Sequence, residues 1–210
     1  MTDMEQLRTS TRKGMAQIAR ALNYVSGGRI TPNAITWFGF IMHVPIAYLI
    51  ATGHPWRAGA LLVVFGLFDT LDGELARLQG RVSDFGGLLD ATTDRLKEVL
   101  LYSGIAYFFV NYGTLDWRKY AAVAVAACGA SICVSFVKSK GETIVASQKK
   151  KLSYAELNKL FGGGFFPFEV RMAVLVLGLA FGYLPQAVIA IAVGSTLTVF
   201  QRLYRISKAI

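Results

Sequence analysis

Long apolar segments are the feature that most constrains how this chain can fold. Six segments approach the ~20 residues that a helix needs to cross the hydrocarbon core of a membrane. They cover residues 33–52, 56–78, 86–111, 120–145, 166–183 and 185–204. With 54% hydrophobic and 17% charged residues, the chain is more apolar than a soluble domain of this size. The sequence therefore predicts an all-α integral membrane protein with six transmembrane helices.

The N-terminal 30 residues are polar and basic, and they precede the first apolar segment. A stripe of apolar residues runs along them beside the basic residues: Met4, Leu7, Met15, Ile18, Ala19, Leu22 and Val25. This pattern predicts an amphipathic interfacial helix on the inner membrane face, which ends at Ser26-Gly27-Gly28. Thr31 is then a predicted N-cap, with Pro32 in the first turn of the first span. The predicted organisation is a juxtamembrane segment, residues 1–30, and one six-helix membrane domain, residues 31–210.

Lysine and arginine concentrate in alternate loops, and this predicts the orientation because basic loops stay on the cytoplasmic side. The basic regions are the N-terminal segment, the second and fourth loops and the C-terminus, with Arg8, Arg12, Lys13, Arg20, Arg29, Arg77, Arg81, Lys138, Lys140, Lys149, Lys150, Lys151, Lys159, Arg202, Arg205 and Lys208. Both termini are therefore predicted to be cytoplasmic in a multi-pass protein of the plasma membrane. The net charge of +9 reflects this bias and attraction to anionic membrane lipids, so no nucleic-acid partner is predicted.

Four aspartates stand where two apolar segments face the cytoplasm. Asp69 and Asp72 close the second segment, and Asp90 and Asp94 open the third. Helical spacings of three and four residues place each pair on one helix face. Two such faces turned toward each other form an all-oxygen, tetra-anionic pocket, which needs cations to be stable. The sequence thus predicts a metal site at the cytoplasmic ends of the two spans.

Two other interpretations of these acids stay open. The aspartates can instead form ion pairs at helix ends with neighbouring cations, namely Arg77, Arg81, Arg95 and Lys97. Paired acids can also line the ion path of a cation transporter or channel. The second alternative is disfavoured because the acids cluster at one membrane face, and no chain of polar residues continues across the later spans.

Glycines accompany both aspartate pairs. Gly73 follows Asp72, and Gly86 precedes Asp90 by four residues. Glycine permits close helix packing, and it also lets a phosphate or a flat ligand approach the backbone. Arg77, four residues after Gly73, shares its helix face and is placed to neutralise a phosphate.

Together these residues form the pattern D-x-x-D-G-x-x-A-R, eight residues, then G-x-x-x-D-x-x-x-D, which closely resembles the signature of the CDP-alcohol phosphotransferase family. Every fixed position of the signature is present: Asp69, Asp72, Gly73, Ala76, Arg77, Gly86, Asp90 and Asp94. The length, the number of spans and the amphipathic N-terminus resemble the family as well, so the likeness extends over nearly the whole chain.

The resemblance implies a reaction in phospholipid biosynthesis. An alcohol attacks the lipid-side phosphorus of a CDP-linked lipid and CMP leaves, with two divalent ions, Mg²⁺ or Mn²⁺, at the pyrophosphate. Asp94 is then the candidate base for the acceptor hydroxyl. The implied metal ligands are Asp69, Asp72, Asp90 and, as a further contact, Asp94. The implied nucleotide site includes Gly73, Arg77 and Gly86. The family resemblance also implies a homodimer.

Outer features resemble one branch of the family, the phosphatidylinositol-phosphate synthases. Residues 31–36, T-P-N-A-I-T, resemble the start of the first span in that branch. The implied CDP-lipid contacts are Asn33, Ala34, Ile35, Thr36 and Ser83. Residues 135–142 and 198–202 resemble its S-Y-I-K-A-R-A-E and T-x-x-Q-R runs. The implied acceptor pocket is basic, suits a phosphorylated alcohol, and consists of Lys138, Arg171 and Arg202.

One position departs from that branch. Its E-R-x-x-R run at the fifth span aligns with residues 167–171, where Phe168 stands at the first arginine and Arg171 matches the second. Inositol phosphate is the favoured acceptor. Glycerol 3-phosphate, serine and inositol remain alternatives. The resemblance implies CDP-diacylglycerol or its archaeal equivalent as the lipid.

Overall fold

The computed structural model describes residues 3–113, 115–147 and 164–208. These residues form α-helices and one 3₁₀ turn, with no β-strand among them, so the all-α prediction is confirmed. The elements are α1 (Asp3–Val25), α2 (Pro32–Ala51), α3 (Pro55–Gly66), α4 (Phe68–Gln79), α5 (Asp84–Asn111), a 3₁₀ turn (Leu115–Trp117), α6 (Lys119–Ser147), α7 (Phe168–Phe181) and α8 (Leu184–Ser207). Four lysines of the predicted fourth loop lie outside the described residues: Lys149, Lys150, Lys151 and Lys159.

The boundary between α1 and α2 follows the prediction. Gly27 and Gly28 adopt φ values of 58° and 75°, a region that glycine enters without steric cost. Thr31 is extended, and its side chain accepts a hydrogen bond from the Ala34 N–H at 3.2 Å. Pro32 is the first helical residue. The predicted N-cap of the first span is therefore confirmed.

The predicted second span forms two helices, α3 and α4, which meet at Leu67. Gly66 is a weak helix former, and the Leu67 N–H bonds to the Val64 carbonyl, three residues back, at 3.3 Å. This tightened turn ends α3 and starts α4 anew. The break places Asp69 in the first turn of a separate twelve-residue helix.

Three helices in the described part of the chain are long and apolar enough to cross a membrane by length and composition. These are α2, α6 over Lys119–Val145, and α8. By contrast, α5 carries several charged residues, and α7 has 14 residues. Large apolar side chains, such as Tyr48, Phe136 and Phe200, are exposed on the outside of the bundle. Many exposed large apolar side chains are typical of a surface that faces lipid or a partner.

The main core lies where α2, α3, α5, α6, α7 and α8 meet, and it includes Ile46, Ile50, Leu62, Leu101, Ile105, Ala124, Leu175 and Val188. Gly104 lets the α5 backbone approach α2 closely. A Cβ at Gly104 would lie 2.5 Å from the carbonyl oxygen of Ala47. Small residues permit this kind of close helix contact in membrane proteins. As a result, α2 and α5 form one of the most extensive helix pairs in the bundle.

A second apolar cluster joins α1, α2 and α4 through Ala19, Ile35, Leu71 and Leu75. It holds the N-terminal helix against the helix that carries Asp69 and Asp72. Because α2 packs on α4 as well as on α5, it acts as a common support for both aspartate pairs.

Candidate active and metal site

Three of the four aspartates come together between α4 and α5. Asp69, Asp90 and Asp94 each offer a carboxylate oxygen, and these oxygens all lie within 4.8 Å of one another. All three side chains are partly buried. Like charges this close repel unless a cation lies among them. The structure therefore brings carboxylates from two different helices to one point. The helical spacing of the aspartates predicted a shared acidic site of this kind.

Asp72 does not belong to that close set of carboxylates. It is buried, and its Oδ2 accepts a hydrogen bond from Thr36 Oγ1 at 2.5 Å. Thr36 also donates to the Pro32 carbonyl, within the first turn of α2. The start of α2 thus fixes the orientation of the Asp72 carboxylate.

Two cations of α5 contact the carboxylates. The Lys97 ammonium donates to Asp69 and to Asp94, the latter at 3.2 Å. Arg95 Nη2 lies 3.7 Å from Asp94 Oδ2. The alternative interpretation, an ion-pair network at helix ends, is therefore confirmed for Lys97 and Arg95. The ion-pair network and a metal site are compatible. The Lys97 ammonium and the Arg95 guanidinium contact only some of the carboxylate oxygens, and the others can bind a metal.

The other two cations of that alternative face elsewhere. Arg77 Nη2 bonds to Glu74 Oε1 at 2.6 Å, and Arg81 Nη1 donates to the Gln79 amide oxygen at 3.3 Å. Pairing of Arg77 or Arg81 with the four aspartates is not seen among the described residues. The Arg77 side chain is half exposed and follows the helix face of Gly73, as predicted from their spacing.

The donor set fits a divalent cation that prefers oxygen ligands. Asp90 Oδ1 is buried and has no hydrogen-bond partner among the described residues. An unpartnered buried carboxylate oxygen is costly unless a cation or water satisfies it. Three convergent carboxylates with such an orphan oxygen match the chemistry of Mg²⁺ and Mn²⁺ sites. Asp69, Asp90 and Asp94 are therefore the residues that can hold the metal.

Several of the residues predicted to contact the CDP-lipid lie where α2 and α5 begin. Ser83 caps α5, because its Oγ accepts a hydrogen bond from the Gly86 N–H at 3.1 Å. A Cβ at Gly86 would lie 3.2 Å from Ser83 Oγ and 3.6 Å from Asn33 Oδ1. The starts of α2 and α5 therefore approach each other around Asn33, Ser83 and Gly86. Ala34 lies in the same first turn of α2, whereas the Ile35 side chain is buried in the α1–α4 cluster.

A residue that the sequence did not single out, Glu74, contacts Arg77 of the predicted nucleotide site. It accepts from Arg77 and also from Arg12 Nε of α1, the latter at 3.2 Å. A Cβ at Gly73 would lie 3.5 Å from Arg77 Nη2, so the arginine folds over the glycine. The i,i+3 spacing of Glu74 and Arg77 is a signal of their pairing, but the contact with Arg12 requires the tertiary structure.

The predicted acceptor residues divide into two buried arginines and an exposed lysine. Arg171 Nη1 donates to the Phe166 carbonyl at 3.0 Å, and Arg202 Nη1 donates to the Val134 carbonyl at 2.7 Å. The Nε of each arginine is buried without a hydrogen-bond partner among the described residues. Lys138 is exposed, 3.9 Å from Glu142. It lies one turn beyond Val134 on α6, so Arg202 contacts the helix that carries it.

Phe168, the residue that departs from the expected arginine, lies between two guanidinium groups. Its ring centroid is 5.7 Å from Arg171 Cζ and 5.8 Å from Arg95 Cζ. Such distances permit cation–π attraction. Arg95 also bonds to Glu98, which is buried and accepts from Ser131. Arg95 therefore lies near both Asp94 of the carboxylate cluster and Phe168, which is next to Arg171. The sequence pattern alone does not reveal this link.

A family model described as CDP-alcohol phosphatidyltransferase matches residues 29–200. The chain belongs to this family. The match covers most of the chain, including the four motif aspartates and two of the predicted acceptor residues, Lys138 and Arg171. The family resemblance read from the aspartate motif is therefore confirmed. The CDP-alcohol phosphatidyltransferases are enzymes of phospholipid biosynthesis, and this chain is one of them.

Among curated relatives of this phosphatidyltransferase is the phosphatidylinositol phosphate synthase of Cutibacterium acnes. It is 30% identical over 218 aligned residues, which cover 98% of each chain. Among solved structures, the phosphatidylinositol phosphate synthase of Mycobacterium tuberculosis with CDP-DAG bound superposes with a TM-score of 0.76. The two are 25% identical, and the match covers 91% of this chain and 92% of the other. The structure of the same M. tuberculosis protein in complex with manganese and citrate also superposes with a TM-score of 0.76. The two chains are 25% identical, and the match covers 92% of this chain and 88% of the other.

Proposed function

We propose that this phosphatidyltransferase joins the phosphatidyl-type group of a CDP-linked lipid to inositol phosphate and releases CMP. The observation that carries the proposal is the convergence of Asp69, Asp90 and Asp94 within 4.8 Å. Gly86, which Ser83 and Asn33 approach, lies one helical turn before Asp90 on α5. The similarity to two phosphatidylinositol phosphate synthases over nearly the whole chain supports the choice of acceptor.

Divalent metal is part of the proposal. Asp69, Asp72 and Asp90 hold two ions, Mg²⁺ or Mn²⁺, with Asp94 as a further contact. When bound, the ions offset the negative charge of the pyrophosphate and of the leaving CMP. The manganese complex of the M. tuberculosis relative supports this assignment, as does the unpartnered buried Oδ1 of Asp90.

Asp94 serves as the base for the acceptor. The acceptor oxygen forms a bond to the lipid-side phosphorus, the bond from that phosphorus to the CMP oxygen breaks, and Asp94 takes the hydroxyl proton. Contacts with Lys97 and Arg95 orient the Asp94 carboxylate. Transfer of this kind depends mostly on positioning and on charge stabilisation.

The CDP-lipid lies along the starts of α2 and α5. Asn33, Ser83 and Gly86 supply short polar side chains and an open backbone. Arg77, folded over Gly73, offers a guanidinium to the phosphates. Three further proposed CDP-lipid contacts lie near the start of α2: Ala34, Ile35 and Thr36. Because the Ile35 side chain is buried in the core, its contribution is through the backbone.

The acceptor phosphate binds near Arg171 and Arg202, with Lys138 at the exposed edge. Each of the two arginines keeps one unpartnered buried Nε, and a phosphate oxygen can satisfy such a donor. Phe168 removes one cation from the pattern of the phosphatidylinositol-phosphate synthase branch. Glycerol 3-phosphate, serine and inositol therefore stay as alternative acceptors.

The membrane arrangement completes the proposal. The chain crosses the plasma membrane six times, α1 lies on the inner face, and both termini and the active site are cytoplasmic. The three membrane-length apolar helices and the exposed apolar side chains support insertion in a membrane. The basic residues of alternate loops support the orientation. A homodimer is proposed on the family resemblance. Cross-linking in membranes tests the dimer, and labelling of introduced cysteines from each side tests the topology.

The decisive experiment measures CMP release by the purified full chain in detergent with Mg²⁺ and CDP-diacylglycerol. Inositol phosphate, glycerol 3-phosphate, serine and inositol are supplied one at a time, with the Asp94→Asn variant as the inactive control. We expect inositol phosphate to support the fastest release. Faster release with another acceptor overturns the acceptor assignment, and a lack of release with all four overturns the proposed reaction.

A further inference from the structure

Lys97 has a position that the phosphatidyltransferase reaction does not by itself require. It lies on α5, three residues after Asp94, and it is almost fully buried. Its ammonium contacts carboxylates of two helices, Asp69 of α4 and Asp94 of α5. These are two of the three carboxylates that converge within 4.8 Å. A buried lysine is rare unless acidic groups compensate its charge, and here those acidic groups are the proposed metal ligands.

The carboxylate oxygens of Asp69 and Asp94 cannot bind both the Lys97 ammonium and a divalent metal without a cost in binding free energy. A divalent ion at Asp69 and Asp94 would stand close to the ammonium in a partly buried site, where charges repel more strongly than in water. Lys97 also draws the two carboxylates together, which favours metal binding. However, the positions of these carboxylates are also set by other contacts: Arg95 touches Asp94, and α2 packs on both aspartate helices. Repulsion therefore outweighs the preordering effect.

We propose that Lys97 is an internal counter-cation that competes with the divalent metal for Asp69 and Asp94, and so sets the metal concentration at which the site fills. The ammonium offsets the acidic cluster at low metal concentration, which stabilises the folded helices. The metal must then work against that ammonium when it binds. This inference rests on the proposed function, since it assumes that Asp69 and Asp94 both take part in metal binding.

The test measures Mn²⁺ binding to the purified full chain in detergent, by the loss of the electron paramagnetic resonance signal of free Mn²⁺. Thermal unfolding in EDTA and in saturating Mn²⁺ is measured on the same samples. The variant Lys97→Met removes the charge. Lys119→Met, at the exposed start of α6, removes one positive charge away from the site and serves as the matched control. Lys97→Gln is the second variant, since it keeps a hydrogen-bond donor for the carboxylates and replaces Lys97→Met if that variant does not fold.

We expect Lys97→Met and Lys97→Gln to bind Mn²⁺ with a Kd about ten-fold lower than the wild type, while Lys119→Met is unchanged. In EDTA the Lys97 variants melt at a lower temperature than the wild type, and Mn²⁺ raises their melting temperature by more. A Kd that is unchanged or higher in both Lys97 variants overturns the inference. If the wild type itself does not bind Mn²⁺, the proposed metal site fails, and that result is distinct from failure of the lysine's role.

Discussion

Thr36 on α2 donates a 2.5 Å hydrogen bond to Asp72 on α4, and this bond ties the start of the first membrane-length helix to the aspartate pair. Thr36 is also a predicted CDP-lipid contact. The same side chain therefore connects the lipid-binding turn with a proposed metal ligand, and both residues are buried. Correct placement of Asp72 depends on α2, although the two residues are 36 positions apart in the chain.

Removal of the Thr36 hydroxyl is expected to weaken metal-dependent binding of the CDP-lipid. Thr36→Val keeps the shape of the side chain but leaves Asp72 without this donor, which costs ~1–3 kcal/mol for a buried group. We expect a rise in Kd of about five-fold or more for a soluble CDP-lipid analogue in Mg²⁺, measured by calorimetry. Thr36→Ser keeps a hydroxyl and is the control. Equal affinities of Thr36→Val and the wild type would show that the bond does not matter for binding.

Asp94→Asn is expected to abolish transfer and to leave CDP-lipid binding measurable. The amide cannot take a proton from the acceptor hydroxyl, whereas the other aspartates still hold metal and nucleotide. CMP release and binding of the CDP-lipid analogue are measured on the same preparation. Asp69→Ala is the comparison, since removal of a proposed metal ligand should also remove metal-dependent nucleotide binding. Turnover of Asp94→Asn at the wild-type rate contradicts the assignment of the base.

Loss of Glu74 is expected to affect the nucleotide more than the acceptor. Glu74→Gln weakens the two charged contacts that hold Arg77 over Gly73 and α1 against α4. The KM for the CDP-lipid should rise several-fold, and the KM for the acceptor should stay near the wild-type value. Arg12→Gln should have a smaller effect, because it leaves the ion pair between Glu74 and Arg77 intact. If the two variants behave alike, Glu74 acts through α1 rather than through Arg77.

Truncation of the buried arginines is expected to affect the acceptor more than the lipid. Arg171→Ala and Arg202→Ala should each raise the KM for inositol phosphate more than the KM for the CDP-lipid, because each removes a buried cation from the proposed phosphate site. Steady-state CMP release with each substrate varied in turn measures both constants. Lys119→Ala is the control, because it removes an exposed positive charge at the start of α6, away from the two arginines. Equal changes in the two constants would argue against an acceptor pocket at these residues.

Much of the architecture could be predicted because it depends on local patterns. The apolar segments, the Gly27–Gly28 break and the Thr31 cap follow from side-chain chemistry within a few residues of each position. The aspartate motif was also local, since helical spacing alone places each pair on one face. The family followed from the same motif. For these features, neighbouring residues along the chain carry the determining interactions.

The structure alone decided how these local pieces meet. It broke the second apolar segment at Leu67, left Asp72 outside the set of three converging carboxylates, and brought Lys97 to Asp69 and Asp94. It also set Phe168 between Arg95 and Arg171. These contacts join residues that lie far apart in the chain, and they depend on which helix faces pack together and on side-chain rotamers. The sequence by itself determined that the four acids form two pairs, each on one helix face with basic residues nearby. The packing of α2 against α4 and α5 decided which acid each cation contacts.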